Sequence, residues 1–202
     1  IMSEQYFDST PTSVSSPVTI DIVYDGEMFK FVTDSGVFSK GALDKGTQIL
    51  LNSIDEPLHG NVLDLGCGWG AVGIILSKLY KGINITMADI NKRAVELSNI
   101  NAQKNRVLAK IIESDGFENI DGSFDYIFLN PPIRAGKKTV YNLFSGAAKH
   151  LKPGGALYIV MRKRQGAPSA KEYLKNIFEY VDTINRKAGY HIIKCKEAKN
   201  GI

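Results

Sequence analysis

The chain has 202 residues, of which 44% are hydrophobic and 23% are charged, values typical of a single globular domain. No apolar run approaches the roughly 18 residues of a membrane span, and the formal net charge of +4 favours an anionic partner only mildly. Two cysteines are too few for a disulfide framework or a four-ligand zinc site. Because no secretory signal is apparent, we expect a soluble cytoplasmic protein without a metal.

The first 58 residues predict a lead-in, a hairpin and a helix. Residues 1–17 are rich in Ser, Thr and Pro, which is typical of a poorly ordered or surface-hugging lead-in. Residues 19–24 and 28–33 are rich in β-branched and aromatic side chains on either side of Asp25-Gly26, a strong hairpin signal. Apolar residues at helical spacing then predict a helix within 43–54.

The remaining chain predicts an α/β fold, because short apolar strands alternate with helical patterns. The predicted strands are 61–65, 84–89, 109–113, 124–129 and 155–161, and the predicted helices are about 70–80, 91–104, 138–150 and 168–179. Two further strands, 180–187 and 190–196, have no helix between them and should pair antiparallel. We therefore predict a doubly wound, mostly parallel seven-stranded sheet with an antiparallel last strand, joined to the hairpin in one unit.

A glycine loop, Gly66-Cys67-Gly68-Trp69-Gly70, follows the first strand of this sheet. Glycines let the backbone approach a ligand, and the next helix offers free amides to a carboxylate. Residues 68–73 also match the dinucleotide motif G-x-G-x-x-G, with Asp89 at about the ribose spacing. However, Asp64 would repel a pyrophosphate and attract an ammonium or sulfonium, which favours a cationic methyl donor.

Acidic residues also follow the next two strands. Asp89, before Ile90, can accept hydrogen bonds from ribose hydroxyls, and Asp115, before Gly116, can receive an adenine amino group. Each acid alone could equally cap a helix. Three acids after three successive strands indicate a ligand site at one edge of the sheet.

These residues resemble the class I S-adenosylmethionine-dependent methyltransferases over about 60–196. The resemblance implies a Rossmann-like fold in which Asp64 and the loop glycines hold the methionine end, Asp89 the ribose and Asp115 the adenine. We therefore predict that S-adenosylmethionine is bound by Asp64, Gly66, Cys67, Gly68, Asp89, Ile90, Asp115, Gly116 and Asn130. The alternative interpretation of Cys67 is a small side chain that simply fits the loop.

The motif Asn130-Pro131-Pro132-Ile133 follows strand 124–129 and predicts the catalytic residues. Two prolines restrict the backbone, so the Asn130 side-chain oxygen and the Pro131 carbonyl can accept hydrogen bonds from one amino group. Such acceptors would orient an exocyclic amine toward the methyl donor, and catalysis would rest on placement. The alternative is a rigid turn after a strand.

Several segments resemble the small-domain methyltransferase family, which includes the guanine-N2 methyltransferases of small-subunit ribosomal RNA. They are residues 35–39, 43–44, 46–47 and 130–137, within a similarity that begins near residue 18. The resemblance implies a methyltransferase domain over 18–202, with 18–58 as hairpin and helix and 60–196 as α/β core. It also implies RNA as substrate, with guanine N2 as the methylated atom.

The substrate side of the predicted site departs from the family in one respect. Ile133 stands where amino-methyltransferases usually have an aromatic residue, so we expect Phe38 to cover the base. Arg134, Lys137 and Lys138 are expected to meet phosphate, and the run 162–164 could extend that track. All of these cations could instead be solvated.

Three alternative functions remain open at this stage. A protein glutamine-amide methyltransferase uses a similar Asn-Pro-Pro turn, usually followed by Tyr. A non-catalytic RNA-binding or assembly factor could keep the fold. A nicotinamide oxidoreductase would leave Asp64 and the proline turn unexplained.

Overall fold

The computed structural model describes residues 14–37 and 42–201. Their secondary structure, in chain order, is β1 (Val18–Tyr24), β2 (Glu27–Thr33), α1 (Lys45–Leu51), β3 (Asn61–Leu65), α2 (Ala71–Leu79), β4 (Asn84–Asp89), α3 (Lys92–Lys104), β5 (Ala109–Glu113), β6 (Phe124–Leu129), α4 (Lys137–His150), β7 (Leu151–Arg162), α5 (Ala167–Leu174), β8 (Phe178–Lys187) and β9 (Tyr190–Ala198). Short 3-10 turns cover Ile133–Ala135 and Lys163–Gln165. In this part of the chain no helix is long and apolar enough to cross a membrane.

Seven strands form the main sheet in the order β5-β4-β3-β6-β7-β9-β8. The pairs from β5 to β7 are parallel, and β9 runs antiparallel to both of its neighbours. The predicted mostly parallel sheet with an antiparallel last strand is therefore confirmed, as is the separate N-terminal hairpin. The order reverses between β3 and β6, which places a ligand crevice at their carboxyl ends. We call that side of the sheet the carboxyl edge.

Two apolar layers cover the two faces of the sheet. The hairpin and helices α1 to α3 pack on one face, and α4 and α5 pack on the other. Asn101 and Asn105, one helical turn apart on α3, bind the hairpin by pairing with the backbone of β2. Asn101 accepts from the Val32 amide at 2.7 Å and donates to the Val32 carbonyl at 2.9 Å, and Asn105 does the same at Lys30. These amides fix the hairpin against the core.

Three predicted boundaries are wrong. The helix predicted within 43–54 covers only Lys45–Leu51, because Asn52 ends it and the following loop turns toward β9. The helix predicted at 168–179 ends at Leu174, and β8 begins at Phe178, since the apolar residues there enter the sheet. β7 begins at Leu151 rather than 155 because extended backbone already pairs there with Phe124.

Candidate cofactor and substrate site

Two adjoining cavities open at the carboxyl edge and share three residues, Gly66, Leu129 and Asn130. The first has a volume of about 50 Å³ and lies between the glycine loop and the start of α1. The second has a volume of about 290 Å³ and lies between the ends of β4 and β5 and the proline turn. Because Asn130 belongs to both walls, a ligand in one cavity lies next to a ligand in the other.

The glycine loop turns sharply from β3 into α2. Gly66, Gly68 and Gly70 have φ values of 72°, 57° and 90°, a region that favours glycine. The amides of Gly66 and Cys67 both donate to the Ala88 carbonyl, at 2.8 and 2.9 Å. This pairing holds the loop against the end of β4 and leaves its other side along the first cavity.

Asp64 lies at the base of the first cavity and is only 4% exposed. Its Oδ2 accepts from the Gly73 amide in the first turn of α2 at 2.9 Å, although the N-cap residue of that helix is Gly70. Its Oδ1 accepts no hydrogen bond within the described residues and remains available to a ligand. Burial raises the pKa of Asp64 from 3.8 to about 7, and the nearby charge of Asp89 adds to the rise despite the Gly73 hydrogen bond. A cationic ligand would relieve this cost.

Asp89 links the glycine loop to the end of β4. Its Oδ2 accepts from the Gly68 amide at 2.8 Å, and its Oδ1 accepts from the Asn91 amide at 2.9 Å. The N-cap of α3 is Asn91, whose side chain accepts from Ala94, so Asp89 is not the cap of that helix. Asp89 also lines the second cavity, where further lone pairs on each oxygen can face a ligand.

Asp115 differs from the other two acids because it is exposed at the rim of the second cavity. It begins a turn rather than a helix, so it caps no helix. Ile90 and Gly116, which were also predicted to bind the cofactor, line the same cavity.

Cys67 lines the first cavity, and its Sγ lies 3.4 Å from the Ser98 hydroxyl. Burial first, and then the charges of Asp89 and Asp64, raise the pKa of this thiol well above its ordinary value.

The proline turn places an exposed Asn130 where the two cavities meet. Its side chain makes no hydrogen bond within the described residues, whereas Pro131 is buried beneath it. The Pro132 carbonyl accepts from the Ala135 amide at 2.9 Å and starts the short turn that follows. Ile133, also predicted to be catalytic, is partly buried against the core and does not line either cavity, and its role stays a prediction.

The three predicted substrate-binding cations lie outside the cavity walls. Arg134, Lys137 and Lys138 are exposed, and their neighbours Ala135 and Thr139 line the second cavity. The ammonium of Lys137 lies 5.2 Å from the centre of the Tyr141 ring. Phe38 falls outside the described residues, so its role over the base stays a prediction.

The start of α1 contributes residues to which the sequence assigned no role. Leu43, Asp44 and Thr47 line the first cavity, and Asp44 caps α1 by accepting from the Gly46 amide at 2.9 Å and the Thr47 amide at 3.2 Å. A helix cap before an apolar run is a recognisable sequence signal. Its location beside the glycine loop depends on the packing of α1 and has no local signal.

Comparisons with known proteins agree with this geometry. Residues 28–194 match the family model "Methyltransferase small domain". A Bacillus subtilis protein, the uncharacterized protein YbxB, is 46% identical over 200 residues, which cover 97% of this chain and 100% of that protein. Ribosomal RNA small subunit methyltransferase C of Pasteurella multocida is 39% identical over 168 residues, covering 81% of this chain and 47% of that protein.

A solved structure gives the same assignment. The T. thermophilus 16S rRNA N2 methyltransferase RsmC, in complex with AdoMet and guanosine, is 25% identical with a TM-score of 0.81 over 90% of this chain and 50% of that one. The chain thus spans about half the length of its ribosomal RNA methyltransferase relatives. It belongs to the methyltransferase small domain family, which confirms the predicted class of S-adenosylmethionine-dependent methyltransferases.

Proposed function

We propose that the protein uses S-adenosylmethionine to methylate an exocyclic amino group, namely guanine N2 of ribosomal RNA. The observation that carries this proposal is Asn130, an exposed amide without a hydrogen bond in the described residues, at the junction of two cavities. Asp64 in the first cavity and Asp89 and Asp115 in the second suit a nucleoside with a cationic amino-acid tail. The Pro131 carbonyl, the other acceptor of the turn, directly follows Asn130 in the chain.

The residues around the cavities fit the parts of S-adenosylmethionine. Asp64 at the loop suits the ammonium, and the carboxylate would meet amides of the glycine loop. Asp89 at the end of β4 suits the ribose hydroxyls, and Asp115 at the rim of the second cavity suits the adenine amino group. The bound cofactor would supply an electrophilic methyl group on a sulfonium.

The proline turn would orient the substrate nitrogen. The Asn130 side-chain oxygen and the Pro131 carbonyl can each accept one N–H of an amino group, which weakens the delocalisation of the nitrogen lone pair into the base. The amino nitrogen would take the methyl carbon from the sulfonium, the electron pair of the broken carbon–sulfur bond would stay on sulfur, and the methylated nitrogen would then release one proton to water. No described side chain needs to be ionised for this step, so the rate would depend on near-attack placement.

Two observations support RNA as the substrate. One relative is named a ribosomal RNA methyltransferase, and another was solved with guanosine. Arg134, Lys137 and Lys138 are exposed beside the second cavity, where they can meet phosphates. A pocket of this depth would take a single-stranded or flipped-out guanine.

The test is methyl transfer from tritiated S-adenosylmethionine to small-subunit RNA from a strain that lacks the protein, followed by nucleoside analysis. We expect label in N2-methylguanosine. Label found only in protein would overturn the proposal in favour of glutamine methylation, and label in another nucleoside would overturn the base assignment.

A matched pair of variants tests the role of Asn130. Asn130→Ala should lower kcat at least about 100-fold, because two aligned hydrogen bonds to the amine are reduced to one. Its affinity for S-adenosylmethionine, measured by calorimetry, should stay within about threefold of wild type. Asn119→Ala, at an exposed asparagine whose side chain donates only to the Glu113 carbonyl, is the control. Equal losses of turnover and cofactor affinity would contradict the orienting role.

A further inference from the structure

We propose that the end of β7 and the β8–β9 hairpin form a surface that binds the phosphate backbone of the substrate RNA beside the methylated nucleotide. This inference rests on the proposed function and names a part of the substrate contact. We call it the basic hairpin surface, and its residues are Arg162, Lys163, Arg164, Arg186, Lys187 and Tyr190.

Two distant segments of the chain come together to build this surface. Arg162 pairs with Tyr190 at the end of the β7–β9 ladder, and Lys187 pairs with Tyr190 across the hairpin. The Lys163 amide donates to the Gly189 carbonyl at 2.8 Å, which fixes the turn after β7 against the hairpin turn. The cations of both segments therefore stand on one ordered support.

Unbalanced positive charge is the main property of the surface. Lys163, Arg164, Arg186 and Lys187 are exposed, and none forms a salt bridge within the described residues. Lys171, by contrast, is paired with Asp182 at 3.3 Å. The hairpin and the turn after β7 thus keep four cations free for an external anion.

The nearby carboxylates do not neutralise this charge. Residues 156–193 contain only Glu172, Glu179 and Asp182 as acids. Glu172 and Asp182 are paired with lysines, and Glu179 lies at the start of β8, at the opposite edge of the sheet. Burial and then the charges of Arg186, Lys163 and Lys171 lower the pKa of the half-buried His191 between them, as expected in a positive field.

The basic hairpin surface borders the candidate site. β7 lies beside β6 with Ile159 level with Leu129, so Arg162, three residues further along β7, lies beyond the end of β6, where the turn begins at Asn130. On the other side, a Cβ at Gly46 would lie 2.8 Å from Cε1 of Tyr190. The neighbours of Gly46 in α1, Asp44 and Thr47, line the first cavity. A nucleotide chain leaving the cavities therefore passes this surface.

The chemistry of the surface favours a nucleic acid over an acidic protein. The Arg162 guanidinium donates to the Tyr190 hydroxyl at 2.6 Å and lies 4.8 Å from the ring centre, which holds the aromatic ring in place beside the cations. Protein interfaces need an apolar core. The exposed large hydrophobic residues among those described lie elsewhere. They are Val14 before β1, Val18, Val23 and Met28 on the hairpin of β1 and β2, Ile100 on α3, and Leu108 and Tyr180 at the opposite edge of the main sheet.

The experiment uses two double variants, Lys163→Gln/Arg164→Gln and Arg186→Gln/Lys187→Gln. The matched control is Lys81→Gln/Lys104→Gln, which removes two exposed lysines at the opposite edge. Binding of a labelled single-stranded RNA is measured by fluorescence anisotropy across a salt series. Each surface variant should weaken binding about tenfold near 0.1 M salt and reduce the salt slope by about 1.4, since each single-strand phosphate contact contributes about 0.7. The control should stay within about twofold.

A second measurement separates this inference from the proposed function. Binding of S-adenosylmethionine and of free guanosine, which has no phosphate, should be unchanged in all variants. The inference would be overturned if both surface variants kept wild-type RNA affinity, or if the control lost as much affinity as they do. It would also be overturned if the wild-type protein bound polyglutamate but not RNA. Wild-type protein that binds RNA through this surface but methylates none would overturn the proposed function and leave the surface in place.

Discussion

Asp64→Asn should stabilise the ligand-free protein at alkaline pH while weakening its affinity for the cofactor. The side chain is 4% exposed, and burial with the charge of Asp89 raises its pKa from 3.8 to about 7. Because the folded pKa lies above the unfolded one, the unfolded state releases this proton first as the pH rises. Stability is therefore lost between about pH 4 and pH 7, and the full loss is about 4 kcal/mol at 1.36 kcal/mol per pH unit.

Measurements at two pH values separate the titration of Asp64 from any pH-independent effect of the Asn side chain on stability. At pH 5 the wild-type protein has lost about 2 kcal/mol through Asp64, and at pH 8 about 4 kcal/mol. The free energy of unfolding of Asp64→Asn, relative to wild type, should thus rise by about 2 kcal/mol between these values. Urea denaturation followed by circular dichroism measures it. Asp121→Asn, at an exposed acid outside both cavities, is the control.

Cofactor affinity supplies the second half of the test. An ionised Asp64 with a ligand ammonium would form a charge-assisted hydrogen bond of about 1.5–3 kcal/mol, so calorimetry with S-adenosylmethionine should show at least a tenfold loss in Asp64→Asn. Wild-type affinity should also fall as the pH drops below about 7, because Asp64 then binds a proton. A stability difference that is equal at pH 5 and pH 8 would refute the titration argument. Unchanged affinity would refute the role given to the carboxylate.

Two further predictions concern stability away from the cavities. Asn101→Ala should lower the free energy of unfolding, measured by urea denaturation, by about 3 kcal/mol, because it leaves the Val32 amide and carbonyl without partners. The control, Asn99→Ala on the exposed side of the same helix, should lower it by less than about 1 kcal/mol. Lys194→Met should lower the free energy of unfolding by about 2 kcal/mol at pH 7, because the buried Lys194 ammonium lies 2.7 Å from Asp55 and 2.8 Å from Glu56. This loss is below the roughly 3–5 kcal/mol typical of a broken buried ion pair, because both acids are partly exposed. Asp55 and Glu56 have lowered pKa values, so they take up protons only as the pH falls below about 4. The free-energy cost of Lys194→Met should therefore shrink in that range.

The sheet and the acid positions could be predicted because their signals are local. Buried parallel strands give short apolar runs, and ligands gather where such strands end. The glycine loop, Asp89 and the proline turn all lie within two or three residues of a predicted strand end. The structure brings these residues to one edge of the sheet.

Other features had no local signal. Asn101 and Asn105 look like ordinary polar positions on a helix, and only the position of β2 shows that they replace a neighbouring strand. The first turn of α1 enters the cavity wall through its packing on β7 and β9. A motif also gives the order of residues but not the direction of a side chain, and only the structure shows Ile133 packed against the core. Each of these depends on contacts between elements distant in the sequence.

The negative charge in the first cavity connects the fold to the proposed chemistry. Asp64 and Asp89 both lie buried at the glycine loop, and no salt bridge neutralises Asp64 within the described residues. A structure selected only for stability would replace such a carboxylate by a neutral side chain, since burial without a cation is costly. Its retention is accounted for by a ligand that brings the missing positive charge. The ammonium and sulfonium of S-adenosylmethionine do so, whereas a dinucleotide pyrophosphate would add two more negative charges at the same loop.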